Sequence, residues 1–400
     1  MDQRELPSVY EGTAVPLLGK GFEGQLLGPL VERNDGRAPA QDNGVYAGHV
    51  SVGYIHRKIS YNETEIMDWD SLNWDSLDRL RKFYLNPSSL AGDYWTSEGD
   101  LASYDLTFGA RIGWKWSAVL EELRFRGWNF QPQNILDWGC GTGVAARSYL
   151  KAFPSDTVRV DCWDHSPLAR RFAAQKVLEE KLAPAAHAIT SLQMGYDLVV
   201  VSHVLNELQG PARHTLLSLI RASKAVIWVE PGTHEVSRRL MEVRETLKKD
   251  FDIVGPCTTA GPCGMNTEEN ERHWCHSFAT TPSEVFSSAD WARFSKQMGV
   301  DLRSLPYCYL ALQKKGLASP DEKTSESEEN WVRIIGEARH YKGYAKVQTC
   351  DRQHGVREFI LQKRDAPKLL KKLKDLRDPP FFRFEFLGDK IVSKEEPKES

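Results

Sequence analysis

The apolar positions between residues 134 and 230 alternate between short runs and stretches with helical spacing. Four segments rich in apolar residues predict buried strands, at 134–138, 158–164, 196–203 and 224–230. Between the second and the third, residues 167–182 have the spacing of a helix. This alternation predicts a doubly wound parallel sheet of the α/β class. Because such sheets bind ligands at the carboxyl ends of their strands, we expect the functional site at that edge.

Outside this region the pattern is less regular. Residues 110–126 predict a helix with one apolar face, formed by Ile112, Trp116, Val119, Leu120 and Leu123. Residues 68–80 predict the start of another helix and residues 48–60 a strand, whereas residues 1–45 show no sustained period. Near the other end, strand character returns at 305–312 and again, as several short strands, over 331–363. A basic helix at 367–376 and an aromatic run at 381–384 follow.

These patterns divide the chain into four segments. We predict an N-terminal arm and helical region at 1–103 and a core at 104–315, with a cysteine-containing loop at 255–278. A polar, acidic linker at 316–330 leads into a small β-rich domain at 331–400. That last domain is basic, since residues 331–377 contain 13 Lys or Arg against 5 Asp or Glu. The excess favours contact with nucleic-acid phosphates, although a solvated basic face explains the charge equally well.

Composition narrows the class of protein further. The chain of 400 residues has 41% hydrophobic and 27% charged residues and a net charge of -3, values typical of an ordinary globular protein. No apolar run is long enough to span a bilayer, and the first residues, Met1 to Glu5, lack a signal or transit sequence. We therefore expect a cytoplasmic protein without a membrane partner. In that reducing compartment the seven cysteines are not a disulfide framework.

The first predicted strand runs directly into a glycine-rich turn. Asp137 ends the strand, and Gly139, Gly141 and Gly143 follow on alternate positions before a helix begins. Such a turn lets a ligand approach the backbone at a helix N-terminus. A carboxylate at the strand end would repel a pyrophosphate, whereas it suits the cationic amino group of S-adenosylmethionine (SAM). We therefore predict SAM as the cofactor.

Three further polar residues end the neighbouring strands. Asp164 follows the glycine turn by about twenty residues, where an acid takes ribose hydroxyls in related sheets. Asp161 is the rival acid, but it lies within the strand rather than at its tip. Ser202 ends the third strand and Glu230 the fourth, so we expect all of them at the ligand edge, with Ser202 as a cofactor contact.

No residue can be assigned a catalytic role from the sequence. The Asp/Asn-Pro-Pro-Tyr/Phe clamp used for methylating amino groups of bases does not follow the strand at 196–203. His203 or Glu207 in the segment after it offers a base, but a satisfied turn explains both equally well. The sequence therefore predicts cofactor binding and leaves the catalytic residues open.

Three cysteines fall in a loop broken by glycine and proline, and a fourth lies far downstream. They are Cys257, Cys263, Cys275 and Cys350. Their spacing is not the paired arrangement of a zinc ribbon, yet four thiolates hold either zinc or an iron–sulfur cluster. His273 and His276 keep a mixed zinc site open, and a catalytic cysteine nucleophile is a further alternative. Cys140, Cys162 and Cys308 lie in apolar surroundings and are expected to pack, and Cys308 stays a weaker candidate than Cys350 for the fourth ligand.

Several of these segments together resemble one family. Residues 135–143 (ILDWGCGTG), 204–208 (VLNEL) and 229–233 (VEPGT), with Arg238, Arg239 and Arg244 on the following helix, are similar to the class I SAM methyltransferase core of the small-ribosomal-subunit methyltransferase-like proteins. That group includes mitochondrial ribosome assembly factors and bacterial relatives. The Gly-Pro-Cys, Gly-Pro-Cys and Trp-Cys-His segments resemble the family's cluster loop, and the resemblance covers residues 104 to 360.

The resemblance implies a SAM-binding protein that contacts small-subunit ribosomal RNA during ribosome assembly or translation and is monomeric away from the ribosome. It also implies that Cys257, Cys263, Cys275 and Cys350 ligate a [4Fe–4S] cluster, with zinc as the alternative metal. Residues 265–272 form a longer spacer between the second and third cysteines than the family pattern has. Two other functions stay open: an active methyltransferase on a ribosomal base, and a small-molecule methyltransferase with a structural zinc site.

Overall fold

A computed structural model describes residues 69–85, 94–208, 210–317, 331–374 and 381–395. The predicted arm at 1–45, the strand at 48–60 and most of the linker at 316–330 lie outside these ranges. The four-segment division of the chain therefore stays a prediction. None of the helices within the described ranges is long and apolar enough to cross a bilayer.

The first sheet contains eight strands among the described residues and has the order β3-β2-β1-β4-β5-β8-β6, with β7 paired to β8. The strands are β1 (Asn134–Trp138), β2 (Arg159–Trp163), β3 (Ala185–Ala188), β4 (Leu198–Ser202), β5 (Ala225–Pro231), β6 (Phe251–Gly255), β7 (Ser277–Phe278) and β8 (Pro306–Lys314). Strands β1 to β5 pair parallel with one another, whereas β8 runs antiparallel to β5, β6 and β7. The expectation of an all-parallel sheet was wrong, because β8 returns along the sheet between β5 and β6.

Helices cover both faces of this sheet. They are α1 (Trp74–Leu85), α2 (Glu98–Tyr104), α3 (Ala110–Phe125), α4 (Val144–Ala152), α5 (Pro167–Glu179), α6 (Gly210–Ala222), α7 (His234–Leu247) and α8 (Ala289–Met298). Side chains of α3, α4, α5 and α8 share one core with alternate residues of the central strands, and α6 and α7 pack on the opposite face. The predicted face of α3 is confirmed, since Trp116, Val119, Leu120 and Leu123 are buried. The two-layer burial follows from the strand pattern, in which successive side chains point to opposite faces.

The second sheet curls into a small barrel. Its strands are β9 (Trp331–Ile334), β10 (Arg339–Tyr341), β11 (Tyr344–Asp351), β12 (Gly355–Gln362), β13 (Phe381–Leu387) and β14 (Lys390–Glu395), with helix α9 (Pro367–Lys372) between β12 and β13. The order is β10-β11-β12-β14-β13-β9, and β11 also pairs with β9, which closes the ring. Leu369, Leu370 and Leu373 are buried and belong to the barrel core. The predicted β-rich C-terminal region is confirmed.

Asp137, Asp164, Ser202 and Glu230 lie at one edge of the first sheet, as predicted. The parallel registers of β1 with β2 and β4, and of β4 with β5, bring the ends of these four strands side by side. The edge holds the first candidate site. The second lies where the loop at 255–278 meets the barrel.

Candidate functional site

The glycine turn is tightly packed at two of its three glycines. Gly139 and Gly143 have φ angles of +67° and +79°, a region that side chains rarely adopt. A Cβ on Gly139 would lie 2.7 Å from Val204 Cγ1, and one on Gly143 would lie 3.0 Å from Ala173 Cβ. At Gly141, where φ is +50°, a Cβ would meet nothing within 4 Å. The turn therefore packs closely against Val204 and Ala173, and it leaves open space beside its middle glycine.

The geometry separates the two rival acids at β2. Asp164 is buried at the turn, where its Oδ2 accepts the Gly141 amide at 3.0 Å and its Oδ1 accepts the Ser166 amide at 2.9 Å. Asp161 instead accepts hydrogen bonds from Tyr196 Oη and Arg159 Nη2, each at 2.9 Å. Of the two acids, Asp164 is thus the one that faces the glycine turn. Its role as the ribose contact stays a prediction.

Asp137 lies under the turn rather than on its surface. It is 1% exposed, and its Oδ2 accepts the Ala146 amide from the first turn of α4 at 3.2 Å. Burial raises the pKa of Asp137 to about 7, and the charge of Asp164 acts in the same direction. Two polar atoms nearby, Thr142 Oγ1 and Trp138 Nε1, are buried and form no hydrogen bond with any described residue. Burying such atoms costs free energy unless a hydrogen-bond partner is supplied.

Two glutamates extend this acidic edge. Glu230 is buried, and its Oε1 accepts hydrogen bonds from the amides of Val204 and Leu205, each at 3.0 Å, and from Trp228 Nε1 at 2.7 Å. It therefore holds the turn after β4 in place. Burial raises the pKa of Glu230 and of Glu207 to about 7; for Glu207 the nearby charges of Asp164 and Glu230 add to the effect. Crowded, desolvated carboxylates of this kind favour a cationic ligand.

The turn after β4 also forms a basic pair that the sequence did not predict. Lys115 Nζ on α3 lies 3.2 Å from His203 Nε2. The other ring nitrogen, His203 Nδ1, lies 3.1 Å from Ser202 Oγ. Ser202 Oγ also accepts a hydrogen bond from Trp116 Nε1 at 2.9 Å. An ammonium group only donates, so the hydrogen-bonding pattern assigns the proton of His203 to Nδ1. Ser202, predicted as a cofactor contact, thus has its hydroxyl engaged by two protein donors.

Lys115 and His203 are both half-buried, and His203 has a φ of +56°, which is rare for a residue with a side chain. Burial lowers the pKa of Lys115 to about 8, and burial together with the Lys115 charge holds the pKa of His203 well below its usual range. Strained residues with perturbed pKa values concentrate at functional sites. The two residues are 88 positions apart, so no local pattern could have paired them.

The four cysteines predicted as metal ligands are brought to one place. Cys263, Cys275 and Cys350 pack around Met241, Met265 and Ile335. Cys257 is close enough for its charge to raise the pKa of each of those three thiols, with burial as the larger cause. None of the four forms a disulfide. Loop and barrel therefore contribute to a single thiol cluster, with Cys350 supplied by β11.

Arginines on α7 hold the cysteine loop. Arg244 Nε donates to Cys257 Sγ at 3.1 Å, and its Nη2 donates to the carbonyls of Thr259 and Gly261 at 2.8 and 3.0 Å. Arg238 Nη1 lies within hydrogen-bond distance of four carbonyl oxygens of the segment 265–273. Two arginines of α7 therefore hold the cysteine loop against this helix.

The neighbouring candidate ligands are engaged elsewhere. The ring of His276 stacks on Trp274 with centroids 4.7 Å apart and fills the space beside Gly336. His273 Nε2 accepts a hydrogen bond from Arg272 Nε on the exposed side of the loop. Cys308 Sγ donates a hydrogen bond to the Pro231 carbonyl in the sheet core. Cys140, Cys162 and Cys308 are buried in the cores, in agreement with a packing role.

The four thiols are not placed as a metal site in this structure. Within the described residues, no three His, Cys, Asp or Glu side chains are placed as a group that could hold a metal ion. A tetrahedral zinc site needs its sulfurs about 3.8 Å apart, given Zn–S bonds of about 2.3 Å. In a [4Fe–4S] cluster each thiolate binds its own iron, so the sulfurs lie further apart. Four thiols suit either group by their chemistry, so the iron–sulfur cluster and zinc both stay predictions.

The strand order β3-β2-β1-β4-β5-β8-β6, with β8 antiparallel and a glycine turn after β1, defines a class I methyltransferase-like fold. Residues 110–378 match the family model of Rsm22, described as mitochondrial small ribosomal subunit Rsm22. The chain belongs to this Rsm22 family. The match contains the glycine turn, α7 and all four clustered cysteines.

Several solved structures with some similarity are methyltransferases of low sequence identity. The plantazolicin methyltransferase BamL, solved with a substrate analogue and SAH, is 12% identical, with a TM-score of 0.34 over 62% of this chain and 99% of its own. An rRNA methylase from Escherichia coli is 15% identical, with a TM-score of 0.29 over 44% of this chain and 70% of its own. A SAM-dependent methyltransferase from Aquifex aeolicus is 17% identical, with a TM-score of 0.29 over 37% and 85%. No curated protein matches the chain.

Proposed function

We propose that this protein is a SAM-binding, methyltransferase-like factor that acts on the small ribosomal subunit. The observation that carries the proposal is the Rsm22 match over residues 110–378, which spans both the glycine turn and the thiol cluster. The family description names the mitochondrial small ribosomal subunit, so that particle and its RNA are the partners to test. The acidic edge of the first sheet agrees with binding of the cationic cofactor, and the basic barrel agrees with binding of RNA.

Three features support SAM at the glycine turn. The carboxyl groups of Asp137, Asp164 and Glu207 favour a cation, and space is open beside Gly141. The buried Thr142 hydroxyl has no hydrogen-bond partner among the residues that the structure describes. In this proposal the turn holds the methionine moiety, with Asp137 beneath it supporting the turn and its charge facing the cationic ligand from below, and Asp164 takes the ribose hydroxyls. When bound, SAM supplies a methyl group on a sulfonium. Ser202 contributes by fixing His203 and α3 beside the ligand, since its hydroxyl is already engaged.

Titration calorimetry of the purified full chain with SAM tests this half of the function. We expect saturable binding with one site per chain and competition by S-adenosylhomocysteine. Absence of any heat with either ligand, on protein whose circular dichroism shows it folded, contradicts the assignment.

The proposed partner is the small subunit, contacted through its RNA by the basic barrel. Phosphate contacts release counterions, so affinity must fall steeply as salt rises. Cosedimentation of the full chain with isolated small subunits, at several salt concentrations, tests this half. If the chain binds large subunits as well as small ones, or if its affinity does not change with salt concentration, the result argues against the proposal and for a small-molecule methyltransferase.

The thiol cluster is proposed to bind a [4Fe–4S] cluster through Cys257, Cys263, Cys275 and Cys350. Such a group would tie the loop to the barrel, since three ligands lie on one and the fourth on the other. Iron, acid-labile sulfide and zinc are to be measured on anaerobically purified protein. Iron and sulfide near four per chain support the proposal, whereas stoichiometric zinc without sulfide replaces it with a structural zinc site.

A second candidate function, an active RNA methyltransferase, is favoured by the Lys115–His203 pair. The pair stands at the ligand edge with perturbed pKa values and a strained backbone, as reacting groups do. Transfer of labelled methyl groups to immature and mature small subunits separates the two functions. Label that reaches the RNA and is lost in Lys115→Met favours the enzyme; the absence of label on both particles favours the assembly factor.

A further inference from the structure

The C-terminal barrel has the strand order of oligonucleotide-binding barrels. Taking β9, β11, β12, β13 and β14 as strands one to five, the ring runs one-two-three-five-four and closes from four to one. Strands three and five, β12 and β14, are parallel, and α9 lies between strands three and four. Barrels of this kind bind single-stranded ligands on the face of strands two and three and on the loop between strands one and two. Here these are the outer faces of β11 and β12, and the hairpin that contains β10.

Two tyrosines stack at the tip of that hairpin. Tyr341 and Tyr344 are directly opposite each other in the β10–β11 register, and their rings lie 4.9 Å apart with an interplanar angle of 11°. Tyr341 is 48% exposed, so its ring is one of the few large apolar surfaces open to solvent in the described residues. A ring held flat by a partner, with its other face exposed, is a platform on which a base can stack.

A basic groove begins beside this platform. It has a volume of about 590 Å³ and is lined by Lys342, Tyr344, Gln362, Lys363 and Arg364. Lys342 and Lys363 form no ion pair with any described residue, whereas Arg364 is loosely paired with Asp365 at 3.6 Å. Gln362 lies opposite Tyr344 in the β11–β12 register, so the groove opens onto the face of strands two and three. Amide and cationic groups next to an aromatic ring match an unpaired base and its phosphate.

We propose that the Tyr341–Tyr344 platform and the adjoining basic groove bind single-stranded RNA. The inference rests on the proposed function, and it specifies the form of RNA that the barrel recognises. A duplex keeps its bases stacked on each other, so it cannot offer a base to Tyr341, whereas an unpaired strand can. The aromatic ring binds the base and Lys342 and Lys363 bind phosphates.

The test uses fluorescence anisotropy of the full chain with a labelled ten-nucleotide oligouridine and with a ten-base-pair RNA duplex. We expect the single strand to bind more tightly than the duplex. Tyr341→Ala should weaken single-strand binding about 5- to 150-fold, the range for loss of one stacked base, while Tyr341→Phe keeps the ring and binds as wild type. Phe286→Ala, at an aromatic residue that is 56% exposed elsewhere, is the matched control and should have no effect.

The groove lysines give a second readout. For single strands, each lost phosphate contact lowers the slope of log affinity against log salt by about 0.7, so Lys363→Gln should reduce the slope by that amount and the exposed Lys296→Gln should not. Tighter binding of the duplex, or unchanged single-strand binding in Tyr341→Ala, overturns the inference while the proposed function stands. Absence of salt-dependent binding to either RNA overturns both.

Discussion

Arg333 Nη1 donates a hydrogen bond to Glu122 Oε1 at 2.7 Å, which joins β9 of the barrel to α3 of the core across 211 residues of sequence. The two side chains are 3% and 1% exposed. Arg333 Nη2 also donates to Ser277 Oγ at 2.7 Å, while Tyr309 Oη and Arg126 Nε donate to the same Glu122 oxygen. Arg333 lies opposite Cys350 in the β9–β11 register. The ion pair therefore fixes the strands that carry the fourth cysteine against the core.

Removing one partner of this pair should be strongly destabilising. Arg333→Met leaves Glu122 buried with less compensation, and we expect a loss of about 3–5 kcal/mol in the free energy of unfolding. The double variant Glu122→Gln with Arg333→Met should lose less than the sum of the single variants, because no charge is then stranded. Urea unfolding followed by fluorescence measures both. Arg303→Met, in a pair whose side chains are 81% and 50% exposed, is the control and should leave stability nearly unchanged.

The two rival acids at β2 should differ in their effect on SAM. We expect Asp164→Asn to raise the SAM dissociation constant about ten- to a hundredfold, the range for one hydrogen bond to a charged group. Asp161→Asn should leave it unchanged, because Asp161 is bonded to Tyr196 and Arg159 rather than to the turn. Calorimetry on both variants makes the comparison. The opposite ranking would transfer the ribose role to Asp161.

Asp137 should impose a pH dependence on the stability of the ligand-free protein. Its pKa is raised to about 7 by burial, and the nearby charge of Asp164 raises it while that of Arg147 lowers it. A raised pKa means that the folded state keeps the proton longer than the unfolded state, so stability present at low pH is lost as pH rises toward 7. Asp137→Asn does not titrate. It should therefore gain relative to wild type by up to about 1.4 kcal/mol per pH unit between pH 5 and 7.

Urea unfolding at pH 5, 6, 7 and 8 measures this difference. Asp156→Asn, at an exposed carboxyl, serves as the control and should show no pH-dependent difference from wild type. A difference between wild type and Asp137→Asn that is constant with pH would mean that the carboxyl is not buried in the folded protein.

Cys350 and Cys308 are the two candidates for the fourth ligand of the thiol cluster, and substituting each of them distinguishes between them. We expect Cys350→Ser to lose most of its iron and sulfide and Cys308→Ser to retain them, because Cys350 packs with Cys263 and Cys275 whereas Cys308 lies in the sheet core. Metal analysis and the visible spectrum of anaerobically purified variants provide the readout. Retention in Cys350→Ser together with loss in Cys308→Ser would reverse the assignment.

Arg244 should influence the same group without ligating it. Its guanidinium donates to Cys257 Sγ and to two loop carbonyls, so Arg244→Gln should lower metal retention and speed the loss of colour in air. The exposed Lys296→Gln is the control for charge removal. A variant as stable in air as wild type would show that Arg244 acts on the loop fold alone.

Local sequence patterns were sufficient to predict those elements whose periodicity or turn residues lie within the element itself. The strand at 134–138, the glycine turn and the apolar face of α3 were correctly placed, because period and turn chemistry are encoded within a few residues. Strand β3 was missed, since Ala185–Ala188 has neither alternation nor β-branched residues and forms only along the edge of β2. Strand β6 and helix α6 were also unpredicted. The antiparallel direction of β8 could not be predicted, because the direction of a strand depends on which strands it pairs with in the folded sheet.

The sequence by itself determined the alternating core, the ligand edge at the ends of β1, β2, β4 and β5, and the candidate cysteines, since each follows from short-range spacing and residue chemistry. Only the tertiary structure decided which distant side chains meet. It placed Cys350 with the loop cysteines, Lys115 beside His203, Arg333 against Glu122, and β11 between β9 and β12 in a closed ring. Such contacts depend on how whole elements pack, and packing is set by the shared burial of surfaces that are far apart along the chain.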